Sequence, residues 1–160
     1  MREAIHRIKY SGKREYLEVF GQLLTDRMGE QIGRWNPQAV LAVPMHRLAR
    51  KKRGFNQAEV LAQKVSEETG IPTALALIKT RRTGEQKSLG RQERRRNLRA
   101  AFSVKRDFLE ESDQLPWSRV LLVDDVYTTG STVDAVSDVL RSYGVEEIYV
   151  LTLCTGHGIA

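Results

Sequence analysis

Residues Val120–Thr132 spell VLLVDDVYTTGST, an apolar run that leads into two acidic residues and then into hydroxyl side chains around one glycine. Continuous apolar runs of this kind are typical of strands in parallel sheets, because both faces of such sheets are covered. We therefore predict a buried strand over Arg119–Val123, followed by a short loop. Ser131 or Thr132 then caps a helix that runs to Tyr143.

The rest of the chain alternates between helical and extended patterns. Apolar residues at helical spacing predict helices over Arg14–Met28 and Gln57–Thr69. Short apolar runs predict further strands at Ala39–Val43, Ala74–Ile78, Ala101–Val104 and Glu147–Leu153. Alternating strands and helices indicate the α/β class, with a mostly parallel sheet flanked by helices.

The net charge of +6 is unevenly distributed along the chain. Residues 79–106 carry 11 Lys and Arg against two acidic residues, whereas residues 107–160 carry two against ten. Much of the basic charge falls in Met45–Asn56, which contains one glycine, and in Thr80–Arg99, which has no sustained apolar face. We predict a loop for each, the second long and mobile, with or without a helical turn. Such basic segments are either solvated surface or contacts for a polyanion such as nucleic acid.

The chemistry of the quoted stretch suits a phosphorylated sugar. Ligands of open α/β sheets bind beyond the carboxyl ends of the strands. There, the helix N-terminus and the hydroxyls of Thr128–Thr132 suit a phosphate, and Gly130 allows close backbone approach. Asp124 and Asp125 are placed to accept hydrogen bonds from a vicinal diol, so the pattern describes ribose 5-phosphate. Asp, Thr and Gly also serve as ordinary caps and turns, but both acids with the whole hydroxyl loop favour the sugar-phosphate site.

This stretch resembles the 5-phosphoribosyl 1-pyrophosphate (PRPP) signature of the type I phosphoribosyltransferases, in which two acids and a Thr- and Gly-rich loop follow an apolar strand. The resemblance implies a phosphoribosyltransferase-like fold. It implies that Asp124 and Asp125 are the catalytic pair and contact the ribose 2- and 3-hydroxyls. It also implies a substrate-binding loop that consists of Val126, Tyr127, Thr128, Thr129, Gly130, Ser131 and Thr132.

Three further segments indicate which group of phosphoribosyltransferases the chain resembles. They are Ile8–Gly12 (IKYSG), Val43–Ala58 (VPMHRLARKKRGFNQA) and Gln86–Phe102 (QKSLGRQERRRNLRAAF). In this order, and with DDVYTTGST after them, they resemble the phosphoribosyltransferase domain of the competence-associated ComF/GntX group. The RGFNQ sequence is distinctive of that group among phosphoribosyltransferases. The resemblance therefore covers nearly the whole chain.

The resemblance also implies roles for the two basic segments. The first begins with the loop expected to bind the diphosphate, formed by Pro44, Met45, His46 and Arg47. The second lies where phosphoribosyltransferases have a flexible loop that closes over the active site, and Arg94 matches the family pattern there. A solvated basic surface remains the alternative for both segments. For the RGFNQ sequence we favour a structural role, with Asn56 as the cap of the second helix.

Members of the ComF/GntX group often carry an N-terminal cysteine-rich segment that resembles a zinc ribbon. This chain begins at the KY-x-G region without such a segment, so we predict a single domain over residues 1–160. Either the protein is a short form or its true start lies upstream. Cys154 is the only cysteine and the three histidines are scattered, so the sequence contains no zinc cage and no metal site of its own.

The sequence carries no sign of a membrane or secretory location. No apolar run approaches the roughly 20 residues of a membrane span, and Met1–Tyr10 is mixed and charged, unlike a signal peptide. A single cysteine fits a reducing compartment, so we expect a cytoplasmic protein. A homodimer is expected only by analogy with the superfamily.

Two functional hypotheses follow. The first is an enzyme that binds PRPP together with Mg²⁺ and transfers the phosphoribosyl group to an unknown nitrogen acceptor. The second is a non-catalytic protein that binds PRPP or a nucleotide, or an adaptor for DNA uptake whose basic segment contacts single-stranded DNA or competence proteins. Residues 80–99 contain no aromatic side chain, which disfavours base stacking as the mode of DNA contact.

Overall fold

The computed structural model describes residues 14–81 and 91–155. The helices are α1 (Arg14–Trp35), α2 (Arg47–Arg53), α3 (Gln57–Thr69), α4 (Arg91–Arg99) and α5 (Ser131–Ser142). The strands are β1 (Ala39–Ala42), β2 (Thr73–Ala74), β3 (Leu77–Lys79), β4 (Phe102–Val104), β5 (Arg119–Tyr127) and β6 (Glu147–Thr155). Within these two ranges, none of the helices has both the length and the apolar character needed to cross a membrane.

The central sheet consists of four parallel strands in the order β2–β1–β5–β6. In the register of β5, Leu122 pairs with Leu41 of β1 on one side and with Val150 of β6 on the other. Residues Val120–Val123 are completely buried, because helices and the β3–β4 pair cover both faces. The prediction of a mostly parallel sheet flanked by helices is confirmed.

The residues of β5 alternate between two hydrophobic cores. Val120 and Leu122 pack on the face covered by α5 and the β3–β4 pair. Leu121 and Val123 pack on the opposite face, which α1 and α3 cover. Because neighbouring side chains of a strand point to opposite faces, the two acidic residues that follow continue this alternation toward the open end of the sheet.

The predicted strand at Ala74–Ile78 is divided between two sheets. Strand β2 pairs with β1 in the central sheet, whereas β3 pairs antiparallel with β4, with Lys79 opposite Phe102. Leu77 and Phe102 are buried against the core beneath α5. The chain therefore leaves the central sheet after Ala74 and lays β3 over the face that carries α5, which brings the end of β3 toward the end of β5.

Helix α1 extends beyond its predicted end at Met28. Gly29 and Gly33 disfavour helix, but the last turns are held by tertiary packing. Ile32 is completely buried, and the ring of Trp35 stacks on Tyr149 of β6 with centroids 4.8 Å apart. Packing has therefore overridden local propensity at this end of the helix.

The first basic segment is not simply a loop, because Arg47–Arg53 form helix α2. Arg, Lys, Leu and Ala are good helix formers. His46 caps the helix by accepting a 3.3 Å hydrogen bond at Nδ1 from the backbone N–H of Leu48, and Gly54 ends it at φ +86°. No residue of α2 is buried, so an apolar pattern could not reveal this helix.

For the second basic segment, the prediction of a loop with at most a helical turn is wrong in the latter half, where Arg91–Arg99 form the nine-residue helix α4. This helix packs along α5, and Leu98 is half-buried against the core beneath α5. Leu98 is the only apolar residue in the helix, so the segment has no periodic signal. Residues 82–90 of the same predicted loop lie outside the described residues.

Candidate functional site

The junction between β5 and α5 forms the first wall of the candidate site. Strand β5 does not end at Val123 as predicted but continues to Tyr127, because its pairing with β6 continues. In this extension Asp124 pairs with Thr152, and Val126 pairs with Cys154. The acidic pair therefore lies within the last residues of the strand rather than in a loop, and only Thr128–Gly130 connect the strand to α5.

Helix α5 begins without a side-chain cap. Gly130 occupies the N-cap position at φ +77°, so the predicted capping role of Ser131 or Thr132 is wrong, and both residues lie in the first turn. The hydroxyls of Thr129 and Ser131 lie 2.9 Å apart, within hydrogen-bonding distance. The first N–H groups of a helix have no partner within the helix. Together with the neighbouring hydroxyls, they can cradle an anion at this end of the sheet.

Gly130 is required chiefly by its backbone conformation, and it also lies close to the ring of Tyr127. A Cβ atom at position 130 would collide with the Tyr127 hydroxyl and would lie 3.0 Å from Cζ of the same ring. The backbone angle, φ +77°, is also one that residues with a side chain rarely adopt. The ring of Tyr127 thus lies against the loop that leads into α5.

The two carboxylates share the carboxyl end of β5. Asp124 and Asp125 are both half-buried. The backbone N–H of Asp125 donates a 2.8 Å hydrogen bond to Oδ1 of Asp124, which orients that carboxylate against the strand. Their positions in a strand direct the two side chains to opposite faces, yet both line one cavity. A ligand across the end of β5 would therefore meet one carboxylate from each face.

The second wall begins where the chain leaves β1. The N–H of Val43 donates a 2.9 Å hydrogen bond to the carbonyl oxygen of Val123, so the end of β1 lies beside the acidic pair. The chain then turns through Pro44 and Met45 to His46, which caps α2. Because His46 accepts that hydrogen bond at Nδ1, its other ring nitrogen is the one that can meet a ligand.

Asn56 connects this wall to α3. It is only 3% exposed, and its Nδ2 donates a 3.0 Å hydrogen bond to the carbonyl oxygen of Val43. Its Oδ1 accepts a 3.2 Å hydrogen bond from the N–H of Ala58, which confirms the predicted cap of this helix. The same side chain therefore caps α3 and holds the turn after β1 in place.

The two walls enclose an open cavity of about 390 Å³, a size in the range of small-ligand sites. It brings together eight of the residues predicted from the sequence: Pro44, Met45, His46, Asp124, Asp125, Val126, Thr128 and Thr132. Other lining residues are Val43, Ala49, Arg53, Asn56, Gln57 and Lys79. Segments far apart in the sequence thus meet at one edge of the sheet.

The remaining predicted residues do not line this cavity. They are Arg47, Tyr127, Thr129, Gly130 and Ser131. Arg47 is exposed at the start of α2, whereas the other four lie in or beside the loop in which Thr128 and Thr132 line the cavity. Arg94 lies in α4, and its side chain is outside what the structure describes.

Lys79 is the functional candidate that the sequence prediction missed. It ends β3, lines the cavity, and its Nζ lies 5.0 Å from the centroid of the Phe102 ring. Burial lowers the pKa of Lys79 below its ordinary value, and the carboxylate of Asp124 partly opposes this shift. In the sequence Lys79 is one of 11 basic residues in 79–106, and nothing marks it out except its place at the end of a short apolar run.

Comparison with known proteins supports the fold and the family. The phosphoribosyl transferase domain family matches residues 28–158. Competence protein F of Haemophilus influenzae is 41% identical over 115 residues, which cover 71% of this chain and 48% of that protein. DNA utilization protein YhgH of Escherichia coli O157:H7 is 31% identical over 156 residues, which cover 94% of this chain and 65% of that protein. The chain thus spans between about half and two thirds of these relatives.

A solved structure gives the same architecture. The allosteric regulatory enzyme of purine biosynthesis superimposes with a TM-score of 0.59 at 24% identity, covering 88% of this chain and 26% of that one. At this identity the likeness shows the fold alone. With the family match over residues 28–158 and the competence proteins among its relatives, the chain belongs to the phosphoribosyl transferase domain family, as a ComF-type member.

Proposed function

We propose that this chain binds PRPP and transfers its phosphoribosyl group to a nitrogen acceptor in a Mg²⁺-dependent reaction. One observation carries the proposal. The β5–α5 junction places two carboxylates and two threonine hydroxyls, those of Thr128 and Thr132, in one cavity at the carboxyl edge of a parallel sheet. This is the edge at which open α/β sheets bind their ligands.

Each part of PRPP has a matching group in the cavity. The 5-phosphate fits the start of α5, where unpaired helix N–H groups and hydroxyls favour an anion. The ribose 2- and 3-hydroxyls fit Asp124 and Asp125, since carboxylates accept hydrogen bonds from a diol. The diphosphate then extends toward the turn after β1, where the lining includes His46 and Arg53.

In the reaction, the bond between ribose C1 and the diphosphate oxygen breaks, and its electron pair leaves with the diphosphate. A bond forms between C1 and the acceptor nitrogen, whose proton passes to solvent or to the diphosphate. The sugar acquires oxocarbenium character in between. The chain contributes by holding C1 and its leaving group in a fixed geometry and by placing positive groups where negative charge develops.

The donor set fits a magnesium ion that enters with the ligand. Among residues 14–81 and 91–155, no group of three or more His, Cys, Asp and Glu side chains could hold a metal ion. Mg²⁺ is commonly bound by one or two carboxylates together with phosphate oxygens of a substrate, and the cavity offers one pair, Asp124 and Asp125. When bound, the ion would neutralise charge on the diphosphate.

Calorimetric titration with PRPP and Mg²⁺ tests the proposal. Wild type should bind, and Asp124→Asn combined with Asp125→Asn should weaken binding roughly 100-fold or more, because two charge-assisted contacts are lost. Glu110→Gln combined with Glu111→Gln is the matched control, since it neutralises an exposed adjacent pair on the connector before β5. Equal binding by wild type and the Asp124, Asp125 variant, or no binding by wild type, would refute the proposal.

A second candidate function, contact with single-stranded DNA, is favoured by α4. Arg96 and Arg99 are exposed and rim a groove of about 340 Å³ that also includes Phe102, Val139 and Tyr143. This groove is separate from the cavity described above. Guanidinium groups beside an open groove suit the phosphates of a single strand, and the names of the curated relatives refer to competence and DNA utilization.

Salt-dependent binding to an oligothymidylate tests this candidate. Arg96→Ala combined with Arg99→Ala should reduce the slope of log affinity against log salt by about 1.4, since each phosphate contact on a single strand contributes about 0.7. Lys51→Ala combined with Lys52→Ala removes the same charge from α2 and should leave the slope nearer to that of wild type. Equal slopes for wild type and the α4 variant would exclude α4 as the contact.

A further inference from the structure

The two edges of the central sheet are built differently. Strand β2 forms one edge with only two residues, Thr73 and Ala74, and Pro72 stands immediately before them. Strand β6 forms the other edge with nine residues, Glu147–Thr155. Short edge strands and prolines keep sheets from pairing with other chains, whereas a long regular strand presents a row of N–H and C=O groups. Among the residues that the structure describes, no strand pairs with the outer side of β6, so this edge is open to another strand.

The sequence of β6 is that of an interior strand. It consists of EIYVLTLCT, with no proline and no charged residue after Glu147. Continuous apolar runs are typical of strands inside a parallel sheet, as in β5, where Val120–Val123 are completely buried. In β6 only Leu151 is buried, and the other large apolar side chains are half-exposed: Ile148, Tyr149, Val150 and Leu153. The fold therefore leaves at the edge a strand whose residues suit the middle of a sheet.

Helix α1 carries an exposed apolar stripe. Its residues Tyr16, Val19 and Leu23 are 49%, 60% and 50% exposed, and their spacing of three and four residues places them on one side of the helix. The other side faces α3, because a Cβ atom at Gly21 would collide with the side chain of Lys64. The apolar stripe therefore lies on the side of α1 that is turned away from α3.

This stripe is next to the open sheet edge. Helix α3 packs over β1 and β5, whereas α1 packs over β6, and Trp35 near the end of α1 stacks on Tyr149 near the start of β6. Going away from α3 across this face of the sheet thus leads to the outer side of β6. The open edge and the apolar stripe form one continuous surface, a strand layer with a helix layer above it.

We infer that a second copy of this chain binds the surface formed by β6 and α1. A two-fold axis perpendicular to the sheet pairs β6 antiparallel with β6 of the partner subunit, so that the two four-stranded sheets become one continuous sheet. The same operation brings the two α1 helices together along their apolar stripes. A single symmetry operation therefore covers both layers with the same patch of each subunit, which is the geometry of an isologous dimer. An extended peptide from another protein would pair with the strand but leave the stripe exposed.

The surface is large enough for a dimer. Nine strand residues extend about 30 Å, and the 22 residues of α1 extend about 33 Å. With a depth of about 10 Å for each of the two layers, the contact buries about 600 Å² per subunit, which is at the lower end of stable interfaces.

The side chains of β6 also suit pairing with a second copy. Full overlap of the nine residues places Leu151 at the two-fold axis and Tyr149 opposite Leu153 of the partner subunit. Cross-strand pairs of aromatic and aliphatic side chains stabilise antiparallel strands. Glu147 is the only charged residue of the strand, and it stands opposite a threonine of the other copy rather than a second carboxylate. The pairing therefore brings no like charges together.

Sedimentation over a series of protein concentrations tests the inference. Wild type should change from monomer to dimer as concentration rises. Leu23→Glu should weaken the dimer roughly 10-fold or more, because a carboxylate from each subunit would enter a contact that excludes water. Leu75→Glu is the matched control, since Leu75 is also 50% exposed but lies beside β2, at the other edge of the sheet. It should dimerise like wild type, and thermal unfolding shows whether both variants are folded.

Amide hydrogen exchange tests the strand pairing itself. At concentrations that favour the dimer, amides of Glu147–Thr155 should exchange more slowly than in dilute wild type or in Leu23→Glu, whereas those of Ala39–Ala42 in the middle of the sheet should not change. A wild type that stays monomeric at all concentrations would refute the inference and leave the edge to another occupant. A dimer that Leu23→Glu does not weaken, or that gives no added protection in β6, would refute it as well.

Discussion

The two walls of the cavity differ in how the chain builds them. The wall at the β5–α5 junction is one contiguous segment, Asp124–Thr132, and it presents carboxylates and hydroxyls. The facing wall is assembled from the turn after β1, helix α2, the start of α3 and the end of β3, and it presents the basic groups His46, Arg53 and Lys79. The geometry of the strand-to-helix junction is therefore set by one local segment, whereas the geometry of the basic wall depends on how distant segments pack.

Among substitutions in the contiguous wall, we expect the largest loss of stability and of phosphate binding at Gly130. Gly130→Ala forces a side chain into φ +77° and against Tyr127, so we expect a loss of about 2–3 kcal/mol in the free energy of unfolding. Phosphate binding should fall with it, because the loop must move. Denaturant unfolding and titration with ribose 5-phosphate measure the two effects. Gly29→Ala, which has open space for its Cβ, is the control, and equal stability of the two variants would contradict this explanation.

In the wall assembled from distant segments, we expect a substitution at Asn56 to lower both stability and diphosphate binding. Asn56→Ala removes both the cap of α3 and the hydrogen bond to Val43, and we expect a loss of about 1–3 kcal/mol in unfolding free energy. Asn56→Asp keeps an oxygen that can cap the helix but removes the donor to the Val43 carbonyl. If the bond to Val43 supports the wall, Asn56→Asp should weaken diphosphate binding although α3 remains capped. Wild-type affinity in Asn56→Asp would show that the cap alone matters.

The smallest effect on stability is expected at Lys79, and it has the opposite sign. The pKa of Lys79 is lower in the folded protein than in the unfolded chain, so its protonated form destabilises the fold at neutral pH. Because the side chain is about half exposed, Lys79→Met should raise the unfolding free energy by less than about 1 kcal/mol. The gain should shrink as pH rises through the lowered pKa toward the ordinary value. A clear loss of stability at neutral pH would contradict this.

The features that could be predicted from the sequence are those formed by contiguous residues, as in the β5–α5 wall. The α/β class and the central strand β5 follow from Val120–Val123, because burial on both faces requires a continuous apolar run. The acidic pair and the hydroxyl loop were located because they are adjacent in the chain. Their roles as ligand contacts stay predictions, as do the magnesium ion, the cytoplasmic location and the homodimer.

Other features could not be predicted because they arise only from tertiary structure. Helices α2 and α4 present few or no buried apolar residues, so no periodic pattern marks them. Lys79 reaches the site only because the chain leaves the central sheet after Ala74 and pairs β3 with β4. The start of α5 was misjudged because Gly130, rather than a hydroxyl side chain, occupies its cap.

A crystal structure of the protein with PRPP and Mg²⁺ tests the central claim most directly. We predict the 5-phosphate at Thr128–Thr132, the ribose hydroxyls within hydrogen-bonding distance of Asp124 and Asp125, and the diphosphate between His46 and Lys79. Electron density for PRPP at another place, such as the groove beside Arg96 and Arg99, with the β5–α5 junction empty, would contradict the claim that this junction is the phosphoribosyl site.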